Sequence, residues 1–304
     1  MNAGSSVAAG TSTGGNIIVS GSPTITMGTG GRATLMTGSV SGSTGVTTLI
    51  GSGTSHFRYN SDETNTNYSV ALGSGIYAIY REQPTLTITA DDKTMTYGPT
   101  VPSLTTTVSG LQNGDTTAVL SSSASVSVGG SVSGSGYYVQ GAHTLTASSA
   151  ANGYGYRIQY AVGTLTVNGT TLSLSATKTY DGSTALDTVT ISGTLNGDVL
   201  SYTGATASDK NVLTANNFVN AITLTGCTAV GGGSCSLSNY ILPSLASASA
   251  DNSVTIAVKS LTIGGLAASS REYDASRVAT FSGVAAVLSA ETARAGSTSD
   301  GKPY

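Results

Sequence analysis

The chain has 304 residues, of which only 9% are charged, with 12 Lys and Arg, 15 Asp and Glu and a formal net charge of −3. So few basic side chains leave no stripe able to neutralise phosphates, which argues against nucleic-acid binding. No apolar run reaches the ~18 residues that a membrane-spanning helix requires. Forty glycines among abundant Ser and Thr suit short strands cut by turns, and not a highly charged disordered chain.

Residues 1–84 form a first segment. Its opening stretch, MNAGSSVAAGTSTGG, lacks the basic run and apolar core of a signal peptide. The chain therefore reads as cytosolic or as an internal piece of a longer exported protein. Up to about residue 60, Ile17, Val19, Ile25, Met27, Leu35 and Val40 fall in short bursts between Gly and Ser. That pattern is expected of β-solenoid rungs, each stacking on a neighbour; a flexible Gly/Ser linker is the alternative. Rungs without neighbours would fray, so the first 60 residues are expected to be frayed in this chain. Residues 57–84 bring the first cluster of charge and a strand near Tyr77 and Ile79, and Pro84 marks a boundary.

A module spans 85–169. Leu86 and Ile88 alternate with Thr85, Thr87 and Thr89, as they would on a half-buried strand. Asn113-Gly114 lies between apolar runs and predicts a hairpin turn. Further strands are expected near Val126 and Val128 and near Leu165 and Val167, about seven in all, which is how an antiparallel sandwich reads. A second module spans 170–260, opening on Leu172 and Leu174 and repeating the hairpin signal at Asn196-Gly197. A third opens at Leu261 and reads as the truncated start, 261–304, of a further copy. The fold class is thus all-β: a short solenoid-like segment followed by tandem antiparallel, immunoglobulin-like sandwich modules.

The modules share spacing as well as pattern. Thirteen positions separate Tyr97 from Gly110 and Tyr180 from Gly193, and five more lead to Asp115 and Asp198. A shared spacing of this kind marks a repeated unit. Tyr97-Gly98-Pro99 resembles the motif of the YGX-type MBG domain, and Tyr180-Asp181-Gly182 that of the YDG domain. The third copy, Tyr273-Asp274-Ala275, departs from the pattern at its glycine. Both domain types occur in tandem in large bacterial surface proteins of the filamentous haemagglutinin-like, two-partner-secretion class. The stretch from His56 to Pro84 is similar to the segment joining the shaft of such proteins to their first MBG module. The resemblance implies an exported, cell-surface or released adhesin-type fragment of a Gram-negative bacterium, continuous with further repeats. It implies possible contacts with host-surface glycans or proteins, and it carries no catalytic residues and no cofactor.

The motif residues Tyr97, Gly98, Tyr180, Asp181, Gly182, Tyr273 and Asp274 read as turn-forming structure. Gly tolerates positive φ, and Asp bonds to the following backbone. Cys227 and Cys235 are the only cysteines, and in an exported protein they read as a hairpin-closing disulfide. Tyr154, Tyr156 and Tyr160 would share one face of a strand through 152–160, either as a candidate ligand-contact row for sugar rings or as sandwich core. Asp91-Asp92 and Asp62-Glu63 read as turn acids, since no Asp-x-Asp-x-Asp calcium loop is present. Two histidines, His56 and His143, are too few for a metal set or a Ser/His/Asp arrangement. The leading functional reading is a structural and adhesive repeat region acting as a stalk or host-contact array, without enzymatic activity. The alternatives are a glycan- or mucin-binding lectin-like module and a fragment of a polysaccharide-processing β-helix enzyme.

Overall fold

The computed structural model describes residues 1–212, 214–229, 235–260 and 263–287. It is almost entirely β, as the composition predicts. Its contacts divide into two compact units. The first comprises Met1–Met95, Thr100–Ser131 and Gly141–Val167; the second comprises Thr96–Pro99, Val132–Gln140 and the chain from Asn168.

The N-terminal part of the first unit is a three-stranded sheet. Gly75–Tyr80 lies between Arg32–Thr37 and Phe57–Arg58, parallel to both. Parallel pairing is what a solenoid requires, but the strand order is not that of stacked rungs, which would put the second strand in the middle. The central strand is buried on both faces at Tyr77, Ala78, Ile79 and Tyr80, as strands of parallel sheets are. A short helix, Val46–Ile50, connects the first two strands.

This sheet does not form a separate domain. One hydrophobic core joins Ile17, Leu35, Val46, Phe57, Tyr59, Ala78 and Tyr80 to Leu86, Val119 and Tyr156. The expected boundary at Pro84 therefore falls inside a compact unit. The expectation that the first 60 residues lack partners is corrected in the same way. Ile17 N donates to Thr37 Oγ1 at 2.9 Å and Ala3 N to the Met36 carbonyl at 3.0 Å. The buried Arg81 guanidinium holds Ala3 O at 2.7 Å, Asn2 Oδ1 at 2.7 Å and Glu63 Oε1 at 2.6 Å. A charge this deep is tolerated because it is paired and hydrogen-bonded.

The remainder of the first unit is a two-sheet sandwich. Thr85–Ala90 lies between Arg157–Ala161 and Thr106–Ser109; Lys93–Thr96, Gly163–Asn168, Gly141–Ser148 and Ser125–Val128 form the second sheet in that order. Alternation decides the faces, with Leu86, Ile88 and Ala90 turned inward, as are Leu145, Ala147, Leu165 and Val167. The opening chain crosses from one sheet to the other at Asp91-Asp92. Asp91 accepts from the Thr105 and Thr107 hydroxyls at 2.6 and 2.7 Å, and Asp92 Oδ1 accepts from Thr164 N at 2.7 Å. The paired acids thus fasten a corner. The sandwich is mixed and not purely antiparallel, because Thr85–Ala90 runs parallel to Arg157–Ala161.

The second unit repeats this plan. Ser173–Thr179 pairs antiparallel with Thr190–Ser192 and parallel with Asn252–Ala257, and a long hairpin joins Val199–Ala207 to Val219–Thr228. Leu172, Leu174 and Ala176 are buried as Leu86, Ile88 and Ala90 are. Ala176 lies four positions before Tyr180, whereas Ala90 lies seven before Tyr97, and the longer stretch contains the corner at Asp91-Asp92. Where Val219–Thr228 and Asn252–Ala257 meet, the fully buried Asn252 substitutes for ladder bonds. Its Oδ1 accepts from Val219 N at 2.9 Å and its Nδ2 donates to the Val219 and Ser244 carbonyls, both at 2.9 Å. Ile263–Ala268 and Phe281–Val287 form an antiparallel hairpin with a bulge. The remainder of the predicted third copy, 288–304, lies outside the described residues.

Candidate functional site

The two Asn-Gly pairs make turns of one geometry. Asn113 and Gly114 have φ 53° and 78°, Asn196 and Gly197 have φ 56° and 78°, the positive pair that type I′ turns demand. The bonds that close them run from Asp115 N to Gln112 O at 2.8 Å and from Asp198 N to Leu195 O at 3.0 Å. The expected hairpins do not form. The strands before the turns, Thr106–Ser109 and Thr190–Ser192, pair with Thr85–Ala90 and Ser173–Thr179, and the strands after them pair elsewhere. Each turn is instead a corner that drives an aspartate inward.

Asp115 and Asp198 are buried, and each meets a tyrosine. Tyr156 Oη donates to Asp115 Oδ2 at 2.7 Å and accepts from Gln112 N at 2.9 Å. Tyr240 Oη donates to Asp198 Oδ2 at 2.6 Å and accepts from Leu195 N at 3.3 Å. In the first unit a second hydroxyl, that of Tyr59, donates to Asp115 Oδ2 at 2.8 Å, while Asn113 Nδ2 donates to Tyr59 Oη at 3.0 Å. The rings of Tyr59 and Tyr156 pack at 4.4 Å between centroids. Burial pushes the Asp115 carboxyl above its ordinary range, opposed by both hydroxyl donors, and pushes both phenols well up. In the second unit Tyr97, the tyrosine of the YGX motif, packs edge-on against Tyr240 at 5.8 Å and Tyr137 at 5.9 Å. Such edge-to-face pairs stabilise beyond the area they bury. Gly98 beside it has Leu195 Cδ1 3.4 Å from where a Cβ would stand.

The Tyr180-Asp181-Gly182 turn is also a repeated device. Asp181 Oδ1 accepts from Ser183 N at 3.0 Å and from Lys178 Nζ at 2.6 Å, and Lys178 Nζ also donates to the Ser183 and Ala185 carbonyls at 2.9 and 2.8 Å. In the third copy Arg271 Nη1 donates to Asp274 Oδ2 at 2.9 Å, Ser276 N to Asp274 Oδ1 at 2.9 Å, and Arg271 Nη2 to Ser276 O. Ala275, at φ 60°, adopts the left-handed conformation that Gly182 adopts at φ 79°. The turn therefore survives loss of its glycine. Tyr180 packs partly against its own module core, whereas Tyr273 is 93% exposed.

The tyrosine row does not form one exposed face. Regular strand begins only at Arg157, because Tyr154-Gly155 lies in a turn held by Asn152 Oδ1, which accepts from the N–H groups of Tyr154, Gly155 and Tyr156. Tyr156 is 4% exposed. Tyr154 is half-buried, with the Arg58 guanidinium 4.3 Å from its ring centroid. Arg58 is itself buried and donates to the carbonyls of Phe57, Ser55 and Val70 at 2.7–3.1 Å. Tyr160 alone of the row is exposed, and its hydroxyl accepts from Ala150 N at 2.8 Å.

Cys227 and Cys235 are disulfide-bonded, their Cα atoms 5.5 Å apart. Cys235 Sγ lies 3.1 Å from Asp198 Oδ2. Asp198, Cys227 and Cys235 are also the one group of potential metal ligands among the described residues, but sulfurs committed to each other offer no thiolate. His56 lies against the Tyr77 ring and His143 is buried with Nδ1 3.2 Å from Gly129 O. Asp62 is saturated by donors from Ala9, Thr64 and Asn65, which hold its carboxyl well below the usual range.

The first sandwich thus carries the Asn-Gly-Asp corner and the closing Tyr156, whereas the YGX tyrosine, Tyr97, is counted in the second unit. Residues 86–166 match the MBG domain (YGX type). The MBG domain is a repeat domain of surface proteins. No curated protein and no solved structure matches the chain. The MBG match contains Asp115 and Tyr156 but not Tyr59, whose hydroxyl completes the corner from outside it. Sequence reasoning placed Asp115 and Asp198 in the repeat through their spacing and missed their burial and their tyrosine partners. The signal available was that both corners have a Tyr at the head of the closing strand, Tyr156 before Arg157–Ala161 and Tyr240 in Tyr240–Ile241.

Proposed function

We propose that this chain is a structural and adhesive repeat region of a large exported bacterial surface protein of the filamentous haemagglutinin-like, two-partner-secretion type, in which MBG and YDG modules form a stalk or host-contact array. One observation carries the reading: the Asp–Tyr corner recurs in two successive modules, the first of which matches a repeat domain of surface proteins. Repeats stabilised module by module suit a chain that must extend from a surface and bear load. The outer faces support it. Thr144, Thr146 and Ser148 line the exposed side of Gly141–Ser148, and Thr164 and Thr166 that of Gly163–Asn168, so the surface is wetted by hydroxyls and not by charge.

The reading assigns no catalytic role, and its partners are host-surface glycans or proteins. Burial of Tyr156 takes away the centre of the proposed sugar platform, so the lectin-like alternative is not favoured. Two measurements on the whole chain test the proposal. Single-molecule extension should give separate unfolding events for the two units. Mucin, matrix and glycan arrays then decide between host contact, seen as saturable binding, and stalk alone, seen as none. Turnover of a polysaccharide by the purified chain would overturn both.

A further inference from the structure

The two Asn-Gly turns share a backbone and differ in how their asparagines are held. Asn113 is pinned on every side. Its Oδ1 accepts from Thr47 Oγ1 at 2.6 Å, its Nδ2 donates to Tyr59 Oη at 3.0 Å, and its carbonyl accepts from Gly53 N at 3.0 Å and Ser52 Oγ at 3.3 Å. A Cβ added to Gly114 would stand against Ser52 and Gly53 N, so the peptide between Asn113 and Gly114 is also hemmed in. Asn196 is exposed, and its side chain has no hydrogen-bond partner among the described residues.

We infer that Asn196 is a site of spontaneous deamidation and that Asn113, in the equivalent turn, is protected. The chemistry needs only water. The backbone nitrogen of Gly197 loses its proton to solvent base and attacks Asn196 Cγ. The bond from Cγ to Nδ2 breaks and ammonia leaves, giving a five-membered succinimide. Water then opens either carbonyl, leaving aspartate or isoaspartate at this position. Glycine favours the step because no Cβ shields its nitrogen, and the step requires the side-chain amide to swing against the following peptide. Asn196 is free to make that movement, whereas Asn113 must first break its bonds to Thr47 and Tyr59.

The product bears on the corner. A new carboxylate would lie two residues before buried Asp198, and isoaspartate would lengthen the backbone inside the turn that presents Asp198 to Tyr240. Modification should therefore loosen the second unit and leave the first unchanged.

The test is peptide mapping of the intact chain aged in mildly alkaline buffer, beside the same chain aged in strong denaturant. In denaturant both sites, each an Asn-Gly-Asp sequence, should convert at similar rates. In the native chain Asn196 should convert faster than Asn113 by on the order of tenfold or more, since the pinned turn reacts only through local opening. Thr47→Val should raise the native rate at Asn113 towards that of Asn196, and Asn196→Gln should abolish conversion in the second turn. Equal native rates at the two sites, or a native Asn196 that stays unconverted while the denatured chain reacts, would overturn the inference.

Discussion

Tyr240 donates its hydroxyl hydrogen to Asp198 Oδ2 at 2.6 Å, as Tyr156 does to Asp115 at 2.7 Å, so one tyrosine–aspartate pair fastens the same corner in both units. The two differ in redundancy. Asp115 Oδ2 also receives the Tyr59 hydroxyl at 2.8 Å, whereas among the described residues the other neighbour of Asp198 Oδ2 is a disulfide sulfur, which carries no hydrogen. A buried acceptor stripped of its donor costs about 1–3 kcal/mol. Tyr240→Phe should therefore lower the stability of the second unit by about that much, and Tyr156→Phe should lower that of the first by less. Urea unfolding of the two variants measures the difference. Equal losses would mean that Tyr59 does not share the load.

Acid reports on the same carboxyl. Burial raises the Asp115 pKa in the folded chain, so the folded state holds a proton that the unfolded state has already released. The sign follows from linkage: the contribution is fully present below the unfolded-state value and is lost as pH rises through the raised folded value. Asp62 behaves in the opposite sense. Its donors lower its pKa, so its contribution is present above the unfolded value and is lost as pH falls through the folded one. Asp115→Asn should flatten stability against pH just above the ordinary carboxylate range, and Asp62→Asn should flatten it below that range. Denaturant midpoints across a pH series decide. A wild-type profile that keeps its slope in Asp115→Asn would assign that slope to another group.

Much of this architecture was legible in the chain. Alternation at Leu86 and Ile88 and at Leu172 and Leu174 identified buried faces, because side-chain period follows directly from strand geometry. Alternation does not say which strand lies alongside or in which direction it runs. The parallel pairing of Thr85–Ala90 with Arg157–Ala161 was therefore hidden, and the modules read as antiparallel. Asn-Gly was read correctly as a turn and wrongly as a hairpin, since the dipeptide fixes local φ while the pairing of its flanks is decided by remote partners. Pro84 punctuates the chain locally, yet Tyr59 and Tyr80 pack across it onto Leu86 and Tyr156. Of the two readings of the row from Tyr154 to Tyr160, core describes Tyr156, and the row is not one face because Asn152 bends its first half into a turn.

The Tyr273-Asp274-Ala275 turn offers a test of backbone strain. Ala275 holds φ 60° where its counterpart Gly182 holds 79°. A left-handed residue with a Cβ is disfavoured by roughly 1–2 kcal/mol. Ala275→Gly should relieve strain, partly offset by the greater freedom of glycine in the unfolded chain, for a net gain of about 0–1 kcal/mol. Gly182→Ala should cost the second unit about 1–2 kcal/mol, because that turn is also the acceptor set for Lys178. Hydrogen exchange at Ser183 and Ser276, whose N–H groups bond to Asp181 and Asp274, reads each turn separately. Faster exchange at Ser276 in Ala275→Gly would show that the alanine is not strained.

Reduction of the disulfide should act on one unit only. Cys227 is the penultimate residue of the long hairpin strand Val219–Thr228 and Cys235 adjoins Asp198, so the bond closes a short loop between a strand end and the corner. Constraining a loop of this length in the unfolded chain stabilises by about 2–3 kcal/mol. The double variant Cys227→Ser/Cys235→Ser should lower the urea midpoint of the second unit accordingly and leave that of the first unchanged. A dithiol reductant should reproduce the loss in the wild-type chain and have no effect on the variant. Combining the variant with Tyr240→Phe separates two roles for the bond. Additive losses would mean that it acts only on the unfolded chain. A combined loss smaller than the sum would mean that it also holds Asp198 in reach of the Tyr240 hydroxyl, since residues of one network do not contribute independently.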